Sequence, residues 1–97
     1  MKIYISGQIT GLNYVDAFKK FKTAEKEINE ETSHEAVNPM TLSHDHDQSW
    51  ENYMLEDIKA LFECQAIYML NNWGSSKGAR IERSIAIEMG LEIMYEK

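Results

Sequence analysis

The sequence has 97 residues, 43% hydrophobic and 27% charged, the balance of one globular domain over residues 1–97 and not of a disordered chain. Sixteen acids against ten bases leave a net charge of −6, which disfavours duplex nucleic acid as a partner, since backbone binding needs clustered positive charge. No apolar run reaches the length of a membrane span, the opening apolar stretch is too short for a secretory signal, and the single Cys64 cannot close an internal disulfide, which fits a reducing cytoplasm. A small nucleotide stays open as a ligand, because it needs only a few donors and a helix N-terminus. A core of this size gains from partner subunits.

In chain order, Lys2–Ser6 is β-branched and aromatic and predicts a short strand, broken by Gly7-Gln8-Ile9-Thr10-Gly11. Asn13 suits an N-cap, with Asp16 three residues on as its capping partner. From Tyr14 the apolar residues Phe18, Phe21, Ala24 and Ile28 keep helical spacing. Glu35-Ala36-Val37 predicts a second strand, closed by Asn38-Pro39 because the residue before proline avoids helix. Met40–Gln48 reads as a polar loop. Ser49 caps a second helix from Trp50 to about Glu63. Ala66–Leu70 is a buried strand, Asn71–Ser76 a loop, and a third helix runs from Lys77–Gly78 to Gly90, a suitable helix stop. Leu91–Tyr95 is the last strand. Alternating strands and helices predict a parallel sheet covered on both faces.

Ligands in such sheets bind outside the carboxyl ends of the strands. The loops there are Ser6–Asn13, Asn38–Ser49 and Leu70–Ser76, which gather glycines, the proline and Asx residues. Substrate contacts are expected there at Ser6, Gly7, Asn38, Trp73, Ser75 and Ser76, and at Gly78 just beyond the last loop. Tyr4, Trp50, Tyr53 and Trp73 can stack on a nucleobase, or simply pack in core and rim. Gly74-Ser75-Ser76-Lys77-Gly78 precedes a helix and offers free N–H groups to a phosphate. It lacks the glycine spacing and the Gly-Lys-Ser/Thr ending of a P-loop, so an ordinary N-capping loop is the simpler reading.

Two acids fall where acids are unexpected. On a wheel at roughly 100° per residue, Trp50, Tyr53, Met54, Ile58 and Leu61 form one apolar arc with Asp57 at its centre. Ile81, Ile85, Ala86 and Met89 form another, enclosing Glu82. A buried carboxylate is costly unless hydrogen-bonded or kept for chemistry. Glu25 also lies near an apolar arc, but late in its helix and toward the opposite rim of the sheet. Glu82 sits beside a ligand loop, and Asp57 about two turns into its helix. Two carboxylates on one crevice suit double displacement at a sugar's anomeric carbon: one attacks, the other moves protons for the leaving group. His44-Asp45-His46-Asp47 lacks partners at metal-ligand spacing and reads as a solvated loop, so no metal site is expected. Cys64 is read as core packing.

Five segments together resemble a small, often phage-borne family related to the nucleoside 2-deoxyribosyltransferases. They are Lys2–Gly11, Val37-Asn38-Pro39, Trp50–Asp57, Cys64–Leu70 and Trp73–Glu82. The resemblance runs nearly the whole chain, in order. It implies a flavodoxin-like three-layer α/β/α fold with a parallel sheet of four or five strands, and a nucleoside or nucleotide site without a cofactor. In the wider superfamily, which includes deoxynucleoside monophosphate glycosidases, it implies Glu82 as nucleophile, Asp57 as aid to proton transfer or sugar binding, Tyr4 as the residue orienting the nucleophile, and Ser76 on the phosphate. It further implies a homodimer or larger homo-oligomer. The chain departs from the family at Gln8, where proline is usual, at Gln65, where aspartate is usual, and around Ser33, where the customary glycine is missing. It is also shorter than the established transferases.

The expected activity is therefore cleavage or transfer at the N-glycosidic bond of a 2′-deoxynucleoside or its 5′-monophosphate. Water as acceptor gives a hydrolase and a second base a transferase. The rival readings are a binding protein that sequesters a nucleotide without turning it over, and a module whose old site has decayed.

Overall fold

The computed structural model describes residues 1–42 and 49–97. Strand β1 (Lys2–Ser6) leads to helix α1 (Tyr14–Glu31), β2 (Glu35–Val37), α2 (Trp50–Phe62), β3 (Ala66–Met69), α3 (Lys77–Met89) and β4 (Glu92–Tyr95). Short 3-10 turns cover Pro39–Thr41 and Trp73–Ser75. The four strands form one parallel sheet in the order β2-β1-β3-β4. This is the flavodoxin-like arrangement the sequence implies, with four strands among the described residues. The last strand starts at Glu92, with Leu91 just outside it.

Each helix begins where a side chain takes up orphan N–H groups. Asn13 Oδ1 accepts from the N–H of Val15 at 2.9 Å and of Asp16 at 3.3 Å. Ser49 Oγ accepts from Asn52 N at 3.3 Å, and Ser76 Oγ from Ala79 N at 3.1 Å. α3 stops at Gly90, whose φ of 76° is left-handed and costs glycine little.

Strand alternation sorts the core into two halves. Ile3 and Ile5 of β1, with Ala66 and Leu70, meet Phe21, Ala24 and Ile28 of α1. Tyr4 of β1, with Ile67 and Met69 of β3, meets Leu61 of α2 and Ala79 and Ala86 of α3. Cys64 is buried in this second half. The sheet thus has α1 on one face and α2 and α3 on the other. Sequence order runs outward from β1 to β2, then jumps back past β1 to β3. This switch point opens a crevice at the carboxyl ends of the central strands. Among the described residues, no helix is long and apolar enough to cross a membrane.

Candidate active site

The crevice is a cleft of about 830 Å³, within the range of small-molecule sites. Its walls come from the loops after β1, β2 and β3, from the start of α1, from α2 and from the start of α3. Tyr4, Asp57 and Glu82 all line it.

Glu82 is 5% exposed. Both oxygens of its carboxyl are held by hydroxyls of β1: Tyr4 Oη donates to Oε2 at 2.7 Å and Ser6 Oγ donates to Oε1 at 2.7 Å. The two donors are two residues apart on a strand, so they leave the sheet on the same face, toward α3. Burial lifts the Glu82 pKa from 4.5 to about 7, the Ser6 and Tyr4 hydrogen bonds pull it back, and the nearby Asp57 adds to the rise. Burial also raises Asp57, from 3.8 to about 7, with the charge of Glu56 as the lesser cause. Tyr4, fully buried, is held well above its ordinary value, first by burial and then by the Glu82 charge. It therefore stays a phenol, a donor to the carboxylate. Two acids that both titrate near neutrality across one cleft allow one to be ionised while the other keeps its proton.

The mouth is framed by aromatic and cationic groups. Lys77 Nζ lies 4.9 Å from the centre of the Trp50 ring, a cation–π contact joining the starts of α2 and α3. Tyr14 and Tyr53 stand on the cleft wall, each with much of its surface exposed. Gly7 lets the β1 loop pass close to β3: a Cβ there would sit 2.6 Å from Leu70 Cδ1. Gly78 does the same between α3 and α2, where a Cβ would meet Met54 Sδ at 3.0 Å. The β1 loop is also tied to the loop after β3, because Gln8 N donates to Asn72 Oδ1 at 3.0 Å. Proline, usual at position 8 in the resembled family, has no N–H for that bond. Gln65, the other departure, has Oε1 accepting from Lys2 N at 2.8 Å and secures the start of β1.

Of the ten expected site residues, seven line the cleft: Tyr4, Gly7, Asp57, Ser75, Ser76, Gly78 and Glu82. Ser6, Asn38 and Trp73 lie elsewhere. Ser6 is 1% exposed and its hydroxyl is turned to Glu82. Asn38 Oδ1 accepts from Met40 N at 2.9 Å, and the residue lines a separate cleft of about 300 Å³ beside β2. Trp73 packs outward against Tyr95, with Arg83 4.8 Å from its ring centre. Thr10 and Tyr14, absent from the expected set, also line the cleft; their signal in the sequence is their place just beyond the carboxyl end of β1. His44-Asp45-His46-Asp47 lies outside the described residues.

Comparison with known proteins adds the fold's relatives. Residues 1–95 match the model of a family described as "Domain of unknown function (DUF4406)". No curated protein matches the sequence. A solved structure described as a 2-desoxiribosyltransferase from Leishmania mexicana superposes with a TM-score of 0.65 at 16% sequence identity. The match covers 97% of this chain and 62% of that one, so this chain spans less than two thirds of the transferase. At that identity the likeness bears out the deoxyribosyltransferase fold that the sequence motifs imply.

Proposed function

The chain belongs to the DUF4406 family, and from that starting point we propose that it acts on a nucleoside or nucleotide, cleaving or transferring at the N-glycosidic bond of a 2′-deoxynucleoside or its 5′-monophosphate. One observation carries the reading: Glu82, a carboxyl 5% exposed, is held at both oxygens and faces a substrate-sized cleft shared with a second acid, Asp57. The likeness in fold to a 2-desoxiribosyltransferase supports it.

In this reading ionised Glu82 attacks C1′ of the sugar. The C1′–O bond forms as the C1′–N bond breaks, and the bonding pair leaves with the base. Protonated Asp57 gives its proton to the departing base. An acceptor then attacks C1′ of the glycosyl ester and returns Glu82 as carboxylate. In either case Asp57, left as a carboxylate, takes the acceptor's proton: water yields the free sugar, and a second base, losing its N–H proton, yields a new nucleoside. Tyr4 keeps the nucleophile oriented. Trp50 and Tyr53 offer ring faces to the base. Ser75, Ser76 and the start of α3 receive a 5′-phosphate where the substrate has one.

The test is product analysis by chromatography. The protein is incubated with a panel of 2′-deoxynucleosides and their 5′-monophosphates, with and without a free second base, beside the Glu82→Ala variant. Base release or exchange is expected, reduced at least about a thousandfold in the variant. Full activity in a folded Glu82→Ala protein overturns the nucleophile. Tight binding with unchanged nucleotide recovered from both proteins replaces the enzyme by the sequestering protein.

A further inference from the structure

The sequence places Ser6 at the head of a ligand loop, as a substrate contact. The structure gives it a different neighbourhood. It is the last residue of the central strand β1, pairs with Met69 in the register of β1 and β3, and its carbonyl accepts from Leu70 N at 2.8 Å. Only 1% of its surface is exposed, and the walls of the cleft do not include it. Among the described residues its hydroxyl meets one partner, Glu82 Oε1, at 2.7 Å.

A carboxyl group held at one oxygen still turns about its last bond, because that torsion is broad. Tyr4 alone would leave that freedom. A second donor on the other oxygen removes it, and a rigid strand supplies both donors without a loop's mobility. Hydrogen bonds to a charged acceptor are also the strong ones, and they favour its ionised form.

We propose that Ser6 is a positioning residue for Glu82: from behind the carboxyl group it pins Oε1 while Tyr4 pins Oε2, fixing the plane of the nucleophile and favouring its charge. The proposal rests on Glu82 being the nucleophile of the preceding section. Among the described residues, the titratable groups that act on Glu82 are Tyr4 from β1 and Asp57 from α2, and Tyr14, Tyr53 and Lys77 line the same cleft. β3 contributes apolar Ile67 and Met69 on this face. A change at Ser6 leaves all of these chemically intact.

The test compares wild type, Ser6→Ala and Ser6→Thr, each checked for folding by thermal unfolding. Ser6→Cys, similar in size and a weaker donor, takes the place of Ser6→Ala if that variant does not fold. The first readout needs no substrate: the carboxyl carbon of Glu82, ¹³C-labelled and assigned by its loss in Glu82→Gln, is titrated by NMR. Removal of the hydroxyl is expected to raise the midpoint by about one pH unit, and threonine to restore it. The second readout is kinetic. kcat is expected to fall about ten- to a hundredfold, with KM unchanged because Ser6 does not meet the cleft. An unmoved midpoint in folded Ser6→Ala overturns the proposal. So does a raised KM at constant kcat, which would return Ser6 to the substrate. If wild type turns over no nucleoside at all, the proposed reaction fails while the titration still decides whether Ser6 holds Glu82.

Discussion

Glu25 and Glu82 both interrupt the apolar arc of a helix, one on each face of the same sheet. Glu25 reaches out of α1 to Lys22 Nζ at 2.9 Å, with 20% of its side chain exposed. Glu82 turns inward from α3 to Tyr4 and Ser6. The difference lies in what the sheet offers. Toward α1 it presents Ile3 and Ile5, which can satisfy no carboxylate, so an acid there must reach for water or a lysine. Toward α3 it presents Tyr4 and Ser6, two hydroxyls in alternate positions. Place along the helix matters as well. Glu82 is in the early turns of α3, near the carboxyl ends of the strands, while Glu25 is late in α1. On the proposed function, an acid on an apolar arc serves chemistry where the facing strand carries donors and the helix starts at the ligand rim.

Asp57 gives the strongest way to break this contrast. If the cleft works with one ionised and one protonated acid, kcat/KM is bell-shaped in pH. Glu82 must lose its proton, so the rate falls as pH drops below about 7. Asp57 must keep its proton, so the rate falls as pH rises above about 7. The two limbs belong to the pair and not to either residue alone. Asp57→Asn is expected to lower kcat/KM about a hundredfold or more and to remove the alkaline limb. Glu25→Gln is expected to leave the profile in place. A pH–rate profile on the three proteins decides, and an unchanged alkaline limb in Asp57→Asn would give the proton donor's role to another group.

Stability offers a second, smaller contrast. The folded protein holds the Glu82 proton up to about 7, whereas the ordinary value is 4.5. Between those values the folded state binds more protons than the unfolded chain, so stability falls as pH rises through the window. Glu82 therefore weakens the fold at pH 8 relative to pH 4 by on the order of 3 kcal/mol. Asp57 acts in the same direction. Glu82→Gln removes the Glu82 part and keeps an acceptor for one of the two hydroxyls. It is expected to unfold at higher denaturant concentration than wild type at pH 8 and to show a shallower pH dependence. Equal pH slopes for the two proteins would mean that Glu82 is ionised in the fold at an ordinary pH. If Glu82 is the nucleophile, this cost in stability is the trade expected of an active site.

Most of the fold was legible because local signals agree with it. Asn13 and Ser49 cap the helices they were expected to cap, Ser76 caps α3 from within the loop read as an N-capping loop, and Gly90 ends α3. Helical spacing in α1 finds Phe21, Ala24 and Ile28 of its buried face, although Tyr14 of the same series is exposed, and β1 is buried on both faces. Leu91 lies outside β4 because strand ends depend on pairing with β3, which periodicity does not report. In the site, helical phase marks Asp57 and Glu82 along with Glu25, and place along the helix sets Glu25 aside. The partners of Glu82 were less legible. Tyr4 and Ser6 lie 78 and 76 residues away in sequence, so their meeting depends on the order of strands in the sheet. Trp73 looks like a ligand ring by its loop, yet it packs on Arg83 and Tyr95, a contact set by where β4 ends. Asn38 shows the same limit: the residue before proline was expected to end a strand, and its side chain caps the turn that follows.

The smallest expected effect closes the comparison from the other face. Lys22 and Glu25 are three residues apart on α1, with 49% and 20% of their side chains exposed. Water screens such a pair, and holding two long side chains together costs entropy, so the contact stabilises the helix by about 0.5 kcal/mol or less. Lys22→Ala and Glu25→Gln, alone and combined, are expected to change the midpoint of denaturation only slightly and to be weakened further by salt. Turnover and its pH profile should not move in any of the three. A double-mutant cycle measures the coupling directly. A coupling of several kcal/mol would mean that Glu25 is as deeply committed to the fold as Glu82. The rule drawn from facing donors and helix position would then fail on the very acid that it sets aside.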